Sequence, residues 1–334
     1  MIYITKTKSI SSRELRLIDD LNIPTYVHSI LDERDMKFVD RGIKTKIHLV
    51  LDKLFANHNL EDSLTTARSG LIYAAGNTTS SGFICDLVKT PDKYPTTKNH
   101  ALSLHNILMG YIANRVGVFD HLSVDGTACI SHTAAMKHAE LLIKSGELDR
   151  VLIVSAEDGS SNELLEFFCK NKVCNTVDDF RDTFYLGEGA SYTLIENEHS
   201  MELTGNEAIA ELMHVSTYHE TYSNPIGINS SGDGYKRVIK DAVQKATGQY
   251  IKQSIDLVKL HDTGTDDNKV ELQVVRDMLG SDIGTISYKK LIGHTLGSSS
   301  GIELDLSLNE YKGIILHLSS GMGNVFGSIL TRGL

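Results

Sequence analysis

Apolar and polar positions along the chain alternate between two periods. Residues 151–156 form a continuous apolar run of strand length, the pattern of a strand covered on both faces of a sheet. Runs at 71–75, 192–195, 255–260 and 313–318 read as further strands, with an opening strand over 1–10 and a last one over 324–330. No element is clear across 4–16 as a whole. Between the runs stand stretches of helical spacing. Residues 44–56 place Ile47, Val50, Leu51 and Leu54 on one face, and 106–116 do the same with Ile107, Leu108, Tyr111, Ile112 and Val116. Residues 235–253 carry Val238, Ile239, Ala242, Val243, Ala246 and Tyr250; 269–279 and the one-sided apolar stretch 302–308 complete the set, and 162–174 read as a helix and turn. Strands alternating with helices predict an α/β protein whose parallel sheets carry helices on their faces. Residues 76–82 read as a polar loop, Pro91 and Pro95 punctuate a surface connection, and the polar segment 197–204 is the seam between two halves, 1–200 and 201–334.

The richest stretch is 121–157. Leu122-Ser123-Val124 is a short strand closed by Asp125-Gly126, a pair that tolerates tight turns. Small residues Ala134, Ala135 and Ala139 mixed with Ile130, Met136, Leu141, Leu142 and Ile143 then give a largely buried helix, which Gly146 terminates. Cys129 sits at the first turn of that helix, where the positive end of the helix dipole and unpaired N–H groups favour a thiolate and can receive an oxyanion. A lone cysteine is also a common small buried hydrophobe. The local pattern leaves both readings open.

Five motifs decide between them. Thr127-Ala128-Cys129 is followed by LIKSGELD at 142–149; RDTFYLGEGA lies at 181–190, HDTGT at 261–265, KKLIGHT at 289–295, and Gly321-Met322-Gly323-Asn324 near the C-terminus. In that order, across roughly 120–330, they resemble the β-ketoacyl synthases; the first 120 residues match only loosely. The resemblance implies a thiolase-like fold, two similar halves forming a layered α-β-α-β-α core, with the nucleophile in the first half and two histidines in the second. The residues themselves display no internal duplication. The Gly187-Glu188-Gly189 of the second motif is not a phosphate loop, since GxGxxG is absent and no helix follows at the right distance.

Composition agrees. The 334 residues, 41% apolar and 23% charged, suit a globular chain large enough for two fused α/β halves, and a net charge of −10 argues against a nucleic-acid surface. No apolar run spans a bilayer and the first residues lack a signal-peptide pattern, so a cytoplasmic protein is expected. Cys85, Cys129, Cys169 and Cys174 have neither disulfide-framework nor zinc spacing, and three of them are expected to be structural thiols.

The resemblance assigns the chemistry. Cys129 would hold an acyl group as a reactive thioester. His261 and His294 would direct N–H groups at the oxygen of a malonyl thioester as it loses carbon dioxide. Lys289 would be a buried ammonium partnered by Glu303, orienting the histidines. The backbone N–H of Cys129 and one from Gly321-Met322-Gly323 would form the oxyanion hole; Ile130, Thr263, Thr265 and Ile107 complete the implied substrate-binding set, with Ile107 on a helix used at the family's dimer interface. The implied reaction is a ping-pong decarboxylative Claisen condensation of acyl and malonyl thioesters on acyl carrier protein, in fatty acid-like or polyketide biosynthesis. It requires no metal or other cofactor. A Cys-His-His set favours the elongating synthases, working as a homodimer or with a homologous subunit. The chain departs from the family at Asp262 (normally glycine), Ile130 (small), Met322 (a gating phenylalanine) and Phe326 (often asparagine), and it is shorter than usual. Asp262 is expected either to raise the pKa of His261 or to rearrange its loop. Two other readings stay open: a non-catalytic chain-length-factor subunit, and an acyltransferase that forms an ester or amide at the Cys129 thioester without decarboxylation.

Overall fold

Ten strands follow one another edge to edge in the computed structural model, which describes residues 1–19, 21–40, 45–56, 60, 67–76, 104–159, 162–181, 183–245 and 255–334. The strands are β1 (Ile2–Ile10), β2 (Leu15–Ile18), β3 (Thr25–His28), β4 (Ser69–Ala74), β5 (His121–Asp125), β6 (Arg150–Asp158), β7 (Leu186–Asn197), β8 (Ala210–His219), β9 (Leu257–Lys259), β10 (Gly284–Ile286), β11 (Gly313–Gly321) and β12 (Val325–Gly333). Their order is β10-β9-β11-β12-β8-β1-β7-β6-β4-β5, with β2 and β3 attached beside β7. Within the set β1, β4, β5, β6, β7 the spatial order is third, second, fourth, fifth, first; β8 to β12 repeat that order. Strand directions repeat as well: the second strand of each set runs parallel to the third and fourth, and the fifth runs antiparallel to the fourth and first. The duplication that the residues do not display is therefore present in the topology. The sets meet at their first strands, where Tyr3 pairs with Glu211 and Ile4 with Ala210.

The helices are α1 (Glu33–Asp40), α2 (Lys46–Phe55), α3 (His105–Val116), α4 (Ser131–Lys144), α5 (Asn162–Lys170), α6 (Glu198–Thr204), α7 (Asp233–Lys245), α8 (Asp266–Leu279), α9 (Lys289–Ile292) and α10 (Ser299–Glu310). Helix α4 packs on β4 and β6 of the first set and on β8 and β12 of the second, while α10 touches β1, β7, β11 and α4. Helices in contact with both sets form the middle layer. Helices α2 and α3 cover the far side of the first set and α7 that of the second, which yields the layered core expected from the resemblance. Strand β6 shows why its apolar run is unbroken: Leu152 and Val154 join the cluster under α2 and α3, and Val151 and Ile153 the middle cluster with Ala135, Met136 and Leu304.

Several elements differ from expectation. The polar segment read as a seam forms a helix, α6, between the last strand of the first set and the first of the second, capped by the Asn197 side chain, which accepts from Ser200 N at 2.8 Å, and stopped by Gly205 at φ 69°. Strand β7 runs through Gly187-Glu188-Gly189 rather than starting after it. Strand β8 went unread because its buried face carries His214 and Ser216 among the apolar residues; His214 is held by Glu140 and Asp241, each at 3.2 Å. Strands β2, β3 and β10 and helix α1 are too short for periodicity to register. The polar loop at 77–82, Cys85, Pro91, Pro95, Asp182, and the helix extension through Ala246 and Tyr250 lie outside the described residues.

The middle layer belongs to both halves, so it should couple them. Leu304→Ala, at a fully buried α10 position, is expected to cost about 3 kcal/mol. In denaturant titration the midpoint should fall while a single transition remains; two separated transitions would refute the shared core.

Candidate active site

Strand β5 ends at Asp125, and the chain turns into α4 through a tight 3-10 turn, Ala128–Ile130. The turn is held by Ser131, whose Oγ accepts from Thr127 N at 2.9 Å and donates to the Ala128 carbonyl at 2.7 Å. Ala128 takes φ 49°, a left-handed conformation costly for an L-residue, directly before Cys129. A Cβ on Gly321 would stand 3.0 Å from Cys129 N, tighter than most Cβ contacts, so glycine eases this close approach of β11 to the turn. The backbone N–H of the next residue, Met322, acts on the Cys129 sulfur and favours its thiolate. The thiol itself is not acidified as its helix position suggested. Burial pushes it up to about 12, with Glu157 and Glu303 adding to the rise, and the Lys289 charge and the Met322 N–H only partly offset this. Desolvation outweighs the helix end here.

The second motif positions His294. Phe184-Tyr185-Leu186-Gly187 lies against its backbone: His294 N donates to Tyr185 O at 2.8 Å and Gly187 N to His294 O at 3.1 Å. The Phe184 ring meets the imidazole edge-on at 5.0 Å. Nδ1 of His294 accepts from Leu296 N at 3.3 Å and lies 2.9 Å from Ser299 Oγ. With Nδ1 an acceptor, the ring proton is on Nε2 and faces away from these partners. Leu296, like Ala128, has φ 49°, and the 3-10 turn Leu296–Ser298 leads into α10 as the other leads into α4. The Cys129 turn thus has a counterpart in the second half, with Gly297 in the place of the cysteine.

His261 follows β9. Its N–H donates to Glu271 Oε1 at 2.7 Å and the N–H of Asp262 to Oε2 at 3.0 Å, so one carboxylate of α8 clamps the start of the loop. Asp262 adopts φ 39°, which glycine would take without cost and which aspartate tolerates better than most residues. Its carboxylate accepts from Gly264 N at 3.3 Å. It does not raise His261; burial, Lys289, His294 and Lys259 all act the other way. The two imidazoles lie 5.5 Å apart, nearly perpendicular, and both are driven well below the ordinary histidine value by burial first and by the lysines.

Behind them lies a dry ionic cluster. Lys289 Nζ donates to Glu303 Oε1 at 2.6 Å, which is the pair expected from the motif. The other carboxylate oxygen is taken by Lys259 Nζ, also at 2.6 Å, and Lys259 donates further to the Leu318 carbonyl at 2.7 Å. All three side chains are 1% exposed. Burial raises the Glu271 carboxyl to about 7 against the pull of two backbone N–H groups and the lysines.

One cavity of about 270 Å³ brings these groups together: Cys129, His261 and His294 line it with Thr263, Thr265, Gly321 and Met322. Asp262 and Glu271 also reach it. Lys289 and Glu303 stand behind the wall, and Ile130 is buried beneath the cysteine turn. Ile107, 38% exposed on α3, and Gly323 do not line it. Phe326 is core instead, its ring 5.0 Å from Tyr235. Cys169 and Cys174 are buried free thiols with sulfurs 3.6 Å apart.

Sequence reading missed Lys259, Glu271, Phe184 and Ser299. Two of them left a signal. Lys259 and His261 are two apart and so share a strand face, and Glu271 falls with Val274, Val275 and Met278 on the buried stripe of α8.

The chain is similar to several known proteins. Residues 209–310 match the family model for the β-ketoacyl synthase C-terminal domain. A 3-oxoacyl-[acyl-carrier-protein] synthase 2 of Staphylococcus aureus is 25% identical over 204 residues, covering 56% of this chain and 49% of that protein. The chain thus matches about half the length of this curated relative. Among solved structures, a type II polyketide acyl-carrier protein in complex with its ketosynthase bound to a hexaketide superposes with a TM-score of 0.84 at 15% identity, over 100% of this chain and 99% of that one. The ishigamide ketosynthase/chain length factor gives 0.79 at 18%, with the same coverage. At such identities these likenesses show the fold.

The raised thiol has a measurable consequence. Alkylation of Cys129 by iodoacetamide, followed by peptide mass spectrometry, should keep accelerating above pH 9, where a free cysteine levels off. Lys289→Met removes the largest influence holding the thiol down and should slow alkylation at fixed pH by roughly three- to ten-fold. An unchanged rate would mean that this charge does not reach the sulfur.

Proposed function

We propose that this chain, a member of the β-ketoacyl synthase family, joins two carrier-bound acyl thioesters by decarboxylative Claisen condensation, with Cys129 holding the first. The observation that carries the reading is that Cys129, His261 and His294, far apart in sequence, line one cavity, with the Met322 N–H directed at the sulfur.

In the first half-reaction the Cys129 thiol displaces the carrier thiol from an acyl group. A carbon–sulfur bond forms and another breaks, and the cysteine proton ends on the departing thiol. The oxyanion of the tetrahedral intermediate would rest against the N–H groups of Cys129 and Met322. In the second, a malonyl thioester enters through the side of the cavity lined by Thr263 and Thr265. Its carbon–carboxylate bond breaks, carbon dioxide leaves, and the electron pair becomes an enolate. Two neutral imidazoles can donate to that oxygen without first losing or gaining a proton, and the Nε2–H of His294 is fixed as a donor by Leu296 N on the opposite nitrogen. The enolate carbon attacks the Cys129 thioester, the sulfur leaves as a thiolate, and one proton from solvent restores the thiol. The product is a β-ketoacyl thioester two carbons longer.

An acyl carrier protein is the partner in this reading, and the assembly is a dimer with itself or with a homologous subunit. One similar solved structure is a ketosynthase with its carrier protein, another a ketosynthase/chain length factor. Retention of the cysteine and both histidines on one cavity disfavours a purely structural subunit.

The test is to incubate the protein with acyl and malonyl carrier protein, following Cys129 by mass spectrometry and carbon dioxide by trapping. Acylated Cys129 together with release is expected. Acylation without release would point to an ester- or amide-forming acyltransferase, and neither to a non-catalytic subunit. Loss of one enolate donor in His294→Ala should lower decarboxylation by about 10²–10³-fold while leaving acylation of Cys129 in place.

A further inference from the structure

The ionic cluster contains one more lysine than the reaction calls for. Lys259, Lys289, Glu303 and Glu271 are each at most 1% exposed. Three of them share one hydrogen-bonded unit, Lys259–Glu303–Lys289, and Glu271 holds the backbone of the His261 loop. A lone Lys289–Glu303 pair would balance itself and leave Glu271 an uncompensated buried carboxyl beside His261. With Lys259 present the set is two against two when Glu271 is ionised, and carries one surplus positive charge when it is protonated. With both lysines ionised it is negative in neither state; burial lowers Lys259 from the ordinary lysine value, and Glu303 and Glu271 pull it back toward the charged form.

We propose that Lys259 is a positioning residue of this site, whose ammonium, sharing Glu303 with Lys289, keeps the buried set from ever being negative and so holds His261 and His294 in the neutral, N–H-donating form. The inference deepens the condensation reading and rests on it for its functional meaning. The geometry stands by itself: β9 carries Lys259 and delivers His261 two residues later, so one strand places both the charge and the imidazole it acts on. The other titratable groups around the cavity, among the described residues, are Cys129 at the α4 turn, Glu157 on β6, His317 on β11, and Asp262, Lys172 and Tyr235 in its lining, the Tyr235 hydroxyl donating to Ser320 Oγ at 2.8 Å. His317 is itself fully engaged by Ser307 and Thr331 and lies on the lysine side. None of these groups supplies a second cation at the histidines.

Removing the ammonium makes the set neutral or negative, and a proton on an imidazole becomes the remedy. The test is an NMR titration of ring-labelled histidine, with His261 and His294 assigned through single His→Asn variants. In the unaltered protein both rings should stay neutral through pH 5–8. In Lys259→Met at least one midpoint should rise by about one unit, ten-fold in proton concentration, and Lys259→Arg should restore the original curve. The acid limb of malonyl decarboxylation should move to higher pH with it. Rings that titrate near the ordinary histidine value in the unaltered protein would overturn the proposal without any variant. A folded Lys259→Met protein with unmoved midpoints would overturn it as well, leaving the lysine a purely structural role. The titration uses no substrate, so an unaltered protein that releases no carbon dioxide would sink the condensation reading alone.

Discussion

Glu303 is the residue on which the site turns. Its two carboxylate oxygens accept from two ammoniums carried by different elements, Lys259 on β9 and Lys289 on α9, while its own helix α10 lies in the middle layer between the two strand sets. Ions this deep survive only when paired and hydrogen-bonded, and stripping a partner from such a pair typically costs about 3–5 kcal/mol. The carboxylate therefore fixes where β9 and α9 lie relative to α10, and those elements carry His261, His294 and the turn at Leu296. The same dryness that makes the pairing obligatory keeps the imidazoles neutral and the thiol protonated. The position of the cavity's thiol and imidazoles and their protonation share this one dry setting.

The repeat of topology explains how a cysteine and two histidines from opposite ends of the chain meet. Each half has a strained left-handed residue, Ala128 or Leu296, followed by a 3-10 turn and then a buried helix of the middle layer; β5 leads into the first and α9 into the second. In the first half the turn bears Cys129, the proposed nucleophile. In the second the same place is Gly297, whose missing side chain leaves room for Gly76 N and the Glu157 carboxylate of the first half. One copy of the device presents a thiol to the cavity and the other packs against the first half. Strain at both residues is sustained by the surrounding burial rather than by local preference.

The departures from the family pattern are absorbed without dismantling this arrangement. Asp262 occupies a left-handed backbone position, and its carboxylate turns to the amide of Gly264. Met322 keeps the one contribution that backbone geometry demands, its N–H to the sulfur, while its flexible side chain packs against the cluster of Phe168, Phe184 and Leu296. Phe326 is taken into the core beneath α7 beside Tyr235, away from the cavity.

Sequence alone determined the strand and helix alternation, the doubly covered β6 and the turn that presents Cys129, each written in local periodicity or turn chemistry. The Lys289–Glu303 pairing was implied by the family resemblance and not by spacing. Sequence could not determine the repeat of strand order, because topology is a property of pairing between distant segments and leaves no residue signature. Nor could it rank the influences on Cys129: the helix end is a local fact, whereas desolvation to about 12 depends on what β11 and the middle layer place over the sulfur. Lys259 and Glu271 lay in view as charges on otherwise buried faces, yet their meaning required knowing that both faces look onto Glu303 and the two imidazoles. Charge balance in a dry interior is a sum over neighbours, and only the tertiary structure says which neighbours those are.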